Sequence, residues 1–484
     1  MSSSKLPNHE PPPPLDRTMK LRLTLFSTVV LASCTVGPDF LKPDAIAGDD
    51  WKQTRATSGA RLPDDWWKLF NDRELTRLVD RALKANNDLA AAKARVDTSR
   101  ALVGLDRARM FPRLDLTGSA GFARRSQETT TGNNLPAGLT IDLDDTNYRG
   151  TFDLAYDLDL WGRNRRALEA STAEASAAEA LYDAQRLGIA TEVARQYFLL
   201  RGLDAQEVVL RETIKSRQET LDIQQNKADA GLIDGLSTSQ ARTELELARN
   251  DLALVERQRG AAEHALAVLC GDRPSGFSLP AGGMTKSLPA IRAGTPAEVL
   301  NRRPDVRAAE QDLRAANARI GVAQAAFYPN FSLGGSGGYE SIKAKNFLDW
   351  ENRVLSIGAN IAAPVFDAGS NRSAFDATVS RRDEALARYK NTLLVSLREV
   401  EDALVDLKGL ARSRSALEQA LTSARDTKRI AQERYDKGLS SYLEVVEAGR
   451  TVLRVQLVLA QIDAQQRITL ALLAKALGGG WGGK

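Results

Sequence analysis

Residue types able to do redox, metal or nucleophilic chemistry are scarce in this chain. Two cysteines, Cys34 and Cys270, and two histidines, His9 and His264, lie too far apart in sequence to form a recognisable metal site or thiol pair. Aspartate and glutamate are plentiful. Yet there is no nucleophile elbow, no phosphate-cradling glycine loop and no histidine placed to act as a base, so neither a catalytic residue nor a cofactor is expected. Cys270 ends the run Ala265-Leu266-Ala267-Val268-Leu269, where a free cysteine is expected to be a buried apolar filler.

Cys34 reads differently. From Met19 the chain runs through Lys20 and Arg22, a mostly apolar stretch Leu23 to Leu31, and then Leu31-Ala32-Ser33-Cys34. A charged start, an apolar middle and small residues resemble a bacterial lipoprotein signal. That resemblance implies cleavage before Cys34, a diacylglycerol on its sulfur and acylation of its amine. The alternative is an ordinary secretory signal with an incidental cysteine. Residues 1–18, with Pro11 to Pro14 in a row, fit no signal design, so Met19 is the expected start. Thr35 stands where similar lipoproteins kept in the inner membrane often carry Asp, so the outer membrane is the expected destination.

With 484 residues, 43% hydrophobic and 26% charged, the chain has the composition of a folded, water-compatible protein of two or three ordinary domains. Beyond residue 34 no apolar run approaches the roughly 20 residues of a spanning helix, so membrane contact is expected from lipid or from strands. The net charge of +4 is spread over mixed-sign helices without a basic stripe, which argues against nucleic acid.

One unit is written twice. Gly104 and Phe111-Pro112 recur as Gly321 and Tyr328-Pro329, 217 residues later; Gly162 and Asn164 recur as Gly369 and Asn371, Gly231 as Gly438, and Gly271 as Gly478, all 207 later. The ten-residue difference falls between residues 112 and 161. Each half gives a helix, two alternating strands, a very long helix, a turn and another helix. Leu114, Leu116, Gly118, Ala120 and Phe122 alternate with polar or small residues, as do Phe152 to Leu160, Phe331 to Tyr339 and Leu355 to Ala363. Strands of roughly 10 residues with one apolar and one polar face suit an outer-membrane barrel, although a soluble hairpin has the same period. The polar segment Arg124 to Arg149 is expected to be a hairpin tip.

Arg163 to Ala230 and Asn371 to Lys437 contain no proline over 68 and 67 residues. As single helices each would span about 100 Å, too long for the core of a compact domain. Leu75 to Met110 and Leu236 to Cys270 are expected to be further helices of 36 and 35 residues. Four strands cannot close a barrel, and an open edge in hydrocarbon leaves backbone groups unpaired. Several chains must therefore share one. About 8 strands leave an interior filled by side chains, so a conducting lumen favours three or more chains.

Cys34 to Phe40 with Pro43, Asp65-Trp66-Trp67-Lys68-Leu69-Phe70-Asn71-Asp72, Asn87-Asp88-Leu89, Phe111-Pro112, Leu160-Trp161-Gly162-Arg163 and Arg303-Pro304-Asp305-Val306 resemble TolC-type outer-membrane factors. The branch is that of the NodT-like lipoproteins of resistance-nodulation-division efflux systems. The resemblance covers nearly the whole chain after Cys34. It implies a mainly α protein with a membrane β part: a homotrimer with a 12-stranded β-barrel, a periplasmic barrel of twelve helices and an equatorial region. On this plan residues 1–33 are extension and signal, 34–74 the lipid anchor and first equatorial segment, 75–271 the first repeat, 272–297 an equatorial linker, 298–478 the second repeat and 479–484 a tail. The implied function is passive export of small molecules, with a periplasmic adaptor, an inner-membrane resistance-nodulation-division transporter and outer-membrane lipid as partners.

The resemblance also places a gate and a docking surface. The turns after the two long helices become free tips that meet the adaptor: Gly231, Leu232, Leu236 and Ser237 on one, Gly438, Leu439 and Ser440 on the other. By themselves Gly231 and Gly438 read as helix C-caps. In similar channels an Arg-Tyr pair before the second turn, a Leu after it and an Asp one turn on hold the closed iris, roles that fall here on Arg434, Tyr435, Leu443 and Glu447. Glu447 stands in place of Asp, and by itself reads equally as part of a solvated helix face. At a shift of 207 these four face Lys227, Ala228, Leu236 and Gln240, so only the leucine is repeated. A type I secretion exit duct, a non-conducting structural envelope lipoprotein and a lipid-anchored hydrolase are the alternatives.

Overall fold

The computed structural model describes residues 35–44, 48, 50–53, 62–124, 126, 144–285 and 287–480. Cys34, the signal preceding it, His9, most of the segment expected to form the hairpin tip and the last four residues lie outside this set. In chain order the helices are α1 (Arg73–Ala85), α2 (Asn87–Ala108), α3 (Arg163–Asp229), α4 (Gly235–Leu269), α5 (Pro296–Arg302), α6 (Pro304–Ala325), α7 (Ser370–Asp436) and α8 (Tyr442–Ala476). The strands are β1 (Arg113–Arg124), β2 (Asp144–Asp157), β3 (Asn330–Ser341) and β4 (Arg353–Ala362). Among the described residues no helix is long and apolar enough to cross a membrane.

One compact unit comprises the segment ending at Phe40 with Leu102–Thr172 and Arg314–Arg382. Among the described residues it holds one antiparallel sheet in the order β1-β2-β3-β4. The register aligns Leu116, Phe152, Gly337 and Leu355 in one row, and Leu114, Leu154, Gly335 and Ile357 in the next. The alternating pattern is therefore a property of the whole sheet, with one apolar face and one polar face. Glycines let β2 and β3 approach closely: a Cβ at Gly338 would collide with the Gly150 carbonyl oxygen.

β2 differs from its sequence expectation. It runs from Asp144 to Asp157 rather than from Phe152 to Leu160, so the hairpin tip expected over Arg124 to Arg149 gives up its last residues to the ladder. The strand stops early because Asp159 accepts from the backbone N–H of Asn164 at 2.9 Å and of Arg165 at 3.0 Å. A carboxylate that captures the first donors of α3 ends one element and starts the next.

The second unit comprises Leu41–Ala101, Ala173–Leu313 and Asp383–Lys484. Its core gathers Trp66, Trp67, Phe70, Leu75, Leu78, Tyr197, Phe198, Leu266, Leu279 and Ile468. Asp72 caps α1 by accepting from Glu74 and Leu75 N–H, and its other oxygen accepts from Tyr197 Oη at 2.7 Å. The single helix expected from Leu75 to Met110 is two. Asn86 stands between them in extended backbone, its Oδ1 accepting from Leu89 N–H at 3.1 Å and its Nδ2 donating to Leu269 O at 2.9 Å. A side chain that satisfies the backbone this way competes with helix continuation. The break recurs 217 residues on at Arg303, where Pro304 holds the preceding residue extended.

The segment expected as a linker over 272–297 is pinned to the second unit by buried charge. Arg201 and Arg259 both reach Asp204, at 2.8 and 2.7 Å; Arg201 also donates to Pro280 O, Arg259 to Leu279 O, and Gly282 N–H to Asp204. α5 already begins at Pro296 inside this segment, behind a Thr295–Glu298 capping box.

Candidate functional site

α3 and α7 are each 67 residues long, and each ends in a glycine turn leading to a 35-residue return helix. Gly231 and Gly438 have φ of 69° and 72°. Leu232 N–H donates to Lys227 O and Gly231 N–H to Ala228 O, each at 2.9 Å; Leu439 to Arg434 O and Gly438 to Tyr435 O repeat both bonds at 2.9 Å. This pair of bonds, six-to-one and inside it a shorter one, closes a helix on a residue in the left-handed region. Both glycines are C-caps, as the sequence implied.

The tips expose apolar side chains. Leu232, Leu236, Leu439 and Leu443 are all exposed, Leu232 at 74% and Leu439 at 67%. Ser237 and Ser440 are half-buried. At the return helices Asp234 caps α4 by accepting from Leu236 N–H, whereas Ser441 makes no such bond at α8.

Of the four residues assigned to a gate, the structure brings one, Tyr435, into contact with the α3–α4 hairpin and links a second, Glu447, to it through Arg450. Tyr435 donates its hydroxyl to Gln224 Oε1 of α3 at 2.9 Å; its ring lies 5.4 Å from that of Tyr442, with Lys227 Nζ 5.3 Å from its centre. Glu447 meets Arg450 at 2.7 Å, and Arg450 donates onward to Glu244 of α4 at 2.8 Å. Glu244 is 5% exposed and also holds Arg217 of α3, Nη2 to Oε2, at 2.8 Å. Arg434 is exposed, with no ion pair among the described residues, and Leu443 contributes apolar surface.

The result is a charged chain Arg217–Glu244–Arg450–Glu447 over α3, α4 and α8, beside the Tyr435–Gln224 bond from α7 to α3. Burial pushes the Arg217 guanidinium below its usual range, while the bond to Glu244 holds Arg450 above it. Both stay cationic at neutral pH, so the Glu244 carboxylate sits between two positive charges. Beneath it Ala241, Ala431, Tyr442, Val445, Val446 and Ala448 pack together, and a cleft of about 550 Å³ opens beside Arg217, Glu244, Arg425, Lys428 and Arg429.

Sequence reasoning did not find Gln224, Arg217, Glu244 or Arg450. The signal was present in the repeat: at a shift of 207 they face Ala431, Ala424, Thr451 and Thr243, so each charged or amide group belongs to one half only.

In the sheet, Leu355 and Ile357 are 88% and 89% exposed, and Leu114, Leu116, Phe122 and Phe152 join them on the same face. The opposite face carries Thr117 and Thr151, 3.0 Å apart, with Asp153 bonded to both, and Arg149 paired with Glu340 at 3.2 Å. Among the described residues β1 and β4 each pair on one side only.

The family model for outer membrane efflux proteins matches residues 78–272 and 295–479, two stretches that coincide closely with the two halves of the repeat. Outer membrane protein OprJ of Pseudomonas aeruginosa is 31% identical over 461 residues, 94% of this chain and 95% of that protein. The solvent efflux pump outer membrane protein SrpC of Pseudomonas putida is 32% identical over 471 residues, 95% of this chain and 98% of that protein. Among solved structures, the outer-membrane channel OprN superposes with a TM-score of 0.84 at 30% identity, covering 93% of this chain and 100% of that one. The open state of the Neisseria gonorrhoeae MtrE outer membrane channel gives 0.79 at 28% identity, covering 93% and 99%. With both repeats matched and relatives aligned along almost the whole sequence, the chain belongs to the outer membrane efflux protein family.

Proposed function

We propose that three copies of this chain pair their sheets edge to edge into one 12-stranded barrel, and that the α3–α4 and α7–α8 tips form its periplasmic entrance, held shut at rest by the bonds between them. As a member of its family the chain is an outer-membrane channel subunit of an efflux pump. It works by conducting small molecules rather than by transforming them.

The observation that carries the reading is the open sheet. Two strand edges without partners among the described residues, on a sheet whose apolar side is bare, are unstable in hydrocarbon at several kcal/mol per unpaired group unless another chain completes the ladder. Closure leaves the apolar side chains toward lipid and the Thr, Asp, Arg and Glu side chains toward a wet lumen. The exposed leucines of the tips supply apolar surface for the adaptor that couples the duct to a resistance-nodulation-division transporter. A diacylglycerol on Cys34 would add a lipid anchor next to the barrel: Val36 N–H bonds to Trp161 O at 3.1 Å, in the short stretch between β2 and α3.

Native mass spectrometry in mild detergent and planar-bilayer recording test this directly. A lipidated trimer that passes current is expected. A monomer without current would overturn the reading, and a Cys34→Ser protein still carrying lipid would remove the anchor.

A further inference from the structure

The loop joining β3 to β4 carries side chains that conduction leaves unused. Ile342, Leu348 and Trp350 are exposed there, Trp350 at 66%. Lys343, Lys345 and Arg353 are exposed cations, and none of them makes an ion pair among the described residues. Asp349 and Glu351 share the loop, so its net charge is small and the argument rests on placement.

Arg353 is the first residue of β4, opposite Tyr339 of β3, and by strand alternation it shares a face with Leu355 and Ile357. It thus stands at the rim of the apolar band. Its guanidinium lies 4.0 Å from the centre of the Trp350 ring, and Nη1 donates to Trp350 O at 2.7 Å. Phe347 completes an aromatic border: a Cβ at Gly150 would come within 2.9 Å of its Cζ, and its ring lies 6.2 Å from that of Tyr339. The loop is held in shape by Asn352 Nδ2 donating to Asn346 O at 2.7 Å and by Lys343 N–H donating to Ser341 Oγ at 3.2 Å.

Aromatic rings above an apolar band, with a cation that no carboxylate neutralises, form the pattern of a membrane–water boundary. A guanidinium stacked on an indole, with one N–H committed to a carbonyl, has its remaining donors fixed in a fork. That fork matches two phosphate oxygens better than a single point acceptor.

We propose that Arg353 and Trp350, flanked by Lys343 and Lys345, bind the phosphorylated headgroup of a lipid in the leaflet that borders this loop. The site rests on the reading of the sheet as part of a membrane barrel, whose apolar face it continues. Arg353 takes the phosphate, Trp350 covers the sugar or glycerol below it, and the two lysines add less directional attraction.

The test uses the full-length protein in phosphatidylcholine nanodiscs doped with lipid A or with dephosphorylated lipid A, with bound lipid counted by native mass spectrometry. The phosphorylated form is expected to bind about tenfold more tightly, as one charge-assisted bidentate contact implies, and Arg353→Gln to abolish that preference. Equal binding of the two lipids, or an unchanged preference in Arg353→Gln, overturns the site. So does a loss of trimer in Arg353→Gln that is the same without lipid A, which would assign the loop to contact with a second copy. Conductance of the wild type in pure phosphatidylcholine reads the barrel independently, so failure of the channel and failure of the headgroup site are told apart.

Discussion

Replacing Glu244 by alanine tests whether the tips are latched by charge. In this structure its carboxylate is nearly inaccessible and lies between Arg217 and Arg450, whose side chains are 16% and 41% exposed. Arg450 retains Glu447 and water, so its loss is small. Arg217, mostly buried, loses its ion-pair partner, which costs about 3 kcal/mol. If that cost falls on the closed state alone, the open-to-closed ratio rises by about 100-fold, at 1.4 kcal/mol for each factor of ten. Single-channel recording should show a larger mean conductance in Glu244→Ala. Arg217→Met added to it should recover most of the effect, because removing both partners leaves no orphan charge. An unchanged conductance in Glu244→Ala, or a double variant as leaky as the single one, would refute the latch. A lowered melting temperature with unchanged conductance would assign the same bonds to fold stability.

Tyr435→Phe deletes the bond to Gln224 and should raise the open population about fivefold, the effect of roughly 1 kcal/mol, with Gln224→Ala adding little on top in a double-mutant cycle. Gly438→Ala forces a Cβ into a backbone with φ of 72° and should destabilise the α7–α8 turn by about 1 kcal/mol, read as a lower melting midpoint, whereas an unchanged midpoint would show that the turn relaxes. Burial pushes the Cys270 thiol up to about 11 from an ordinary 9. The folded state therefore keeps its proton longer than the unfolded one, and the stability this thiol contributes is complete below pH 9 and lost as pH rises toward 11. Chemical denaturation should show the wild type losing about 2 kcal/mol more than Cys270→Ala over that window, and parallel curves would contradict it.

The architecture was readable because its determinants are periodic. Alternation set the strands, unbroken helical sequence set α3 and α7, and the repeat fixed their order; each depends on neighbours along the chain. What escaped depends on single side chains bonding across the fold. Asn86 looks like any polar residue on a helix face until Leu269 and Leu89 are seen to use both ends of its amide. Asp159 shortens β2 by serving α3 instead. At the tips the resemblance supplied Tyr435 and Glu447, yet Gln224, which Tyr435 meets, and Glu244, which Glu447 reaches only through Arg450, lie about 200 residues away on the other hairpin. Comparing the halves position by position would have flagged Glu244 and Arg217 as charges without a charged counterpart, but not that they meet.

The bonds that tie the α7–α8 hairpin to the α3–α4 hairpin begin and end in one polypeptide: donors on the second repeat, Tyr435 and Arg450, and acceptors on the first, Gln224 and Glu244. Duplication thus supplied both jaws of a clasp that needs no neighbour to fasten it. A ring of three such clasps can be undone one at a time, so current through a loosened variant should rise in discrete sub-levels rather than in a single jump.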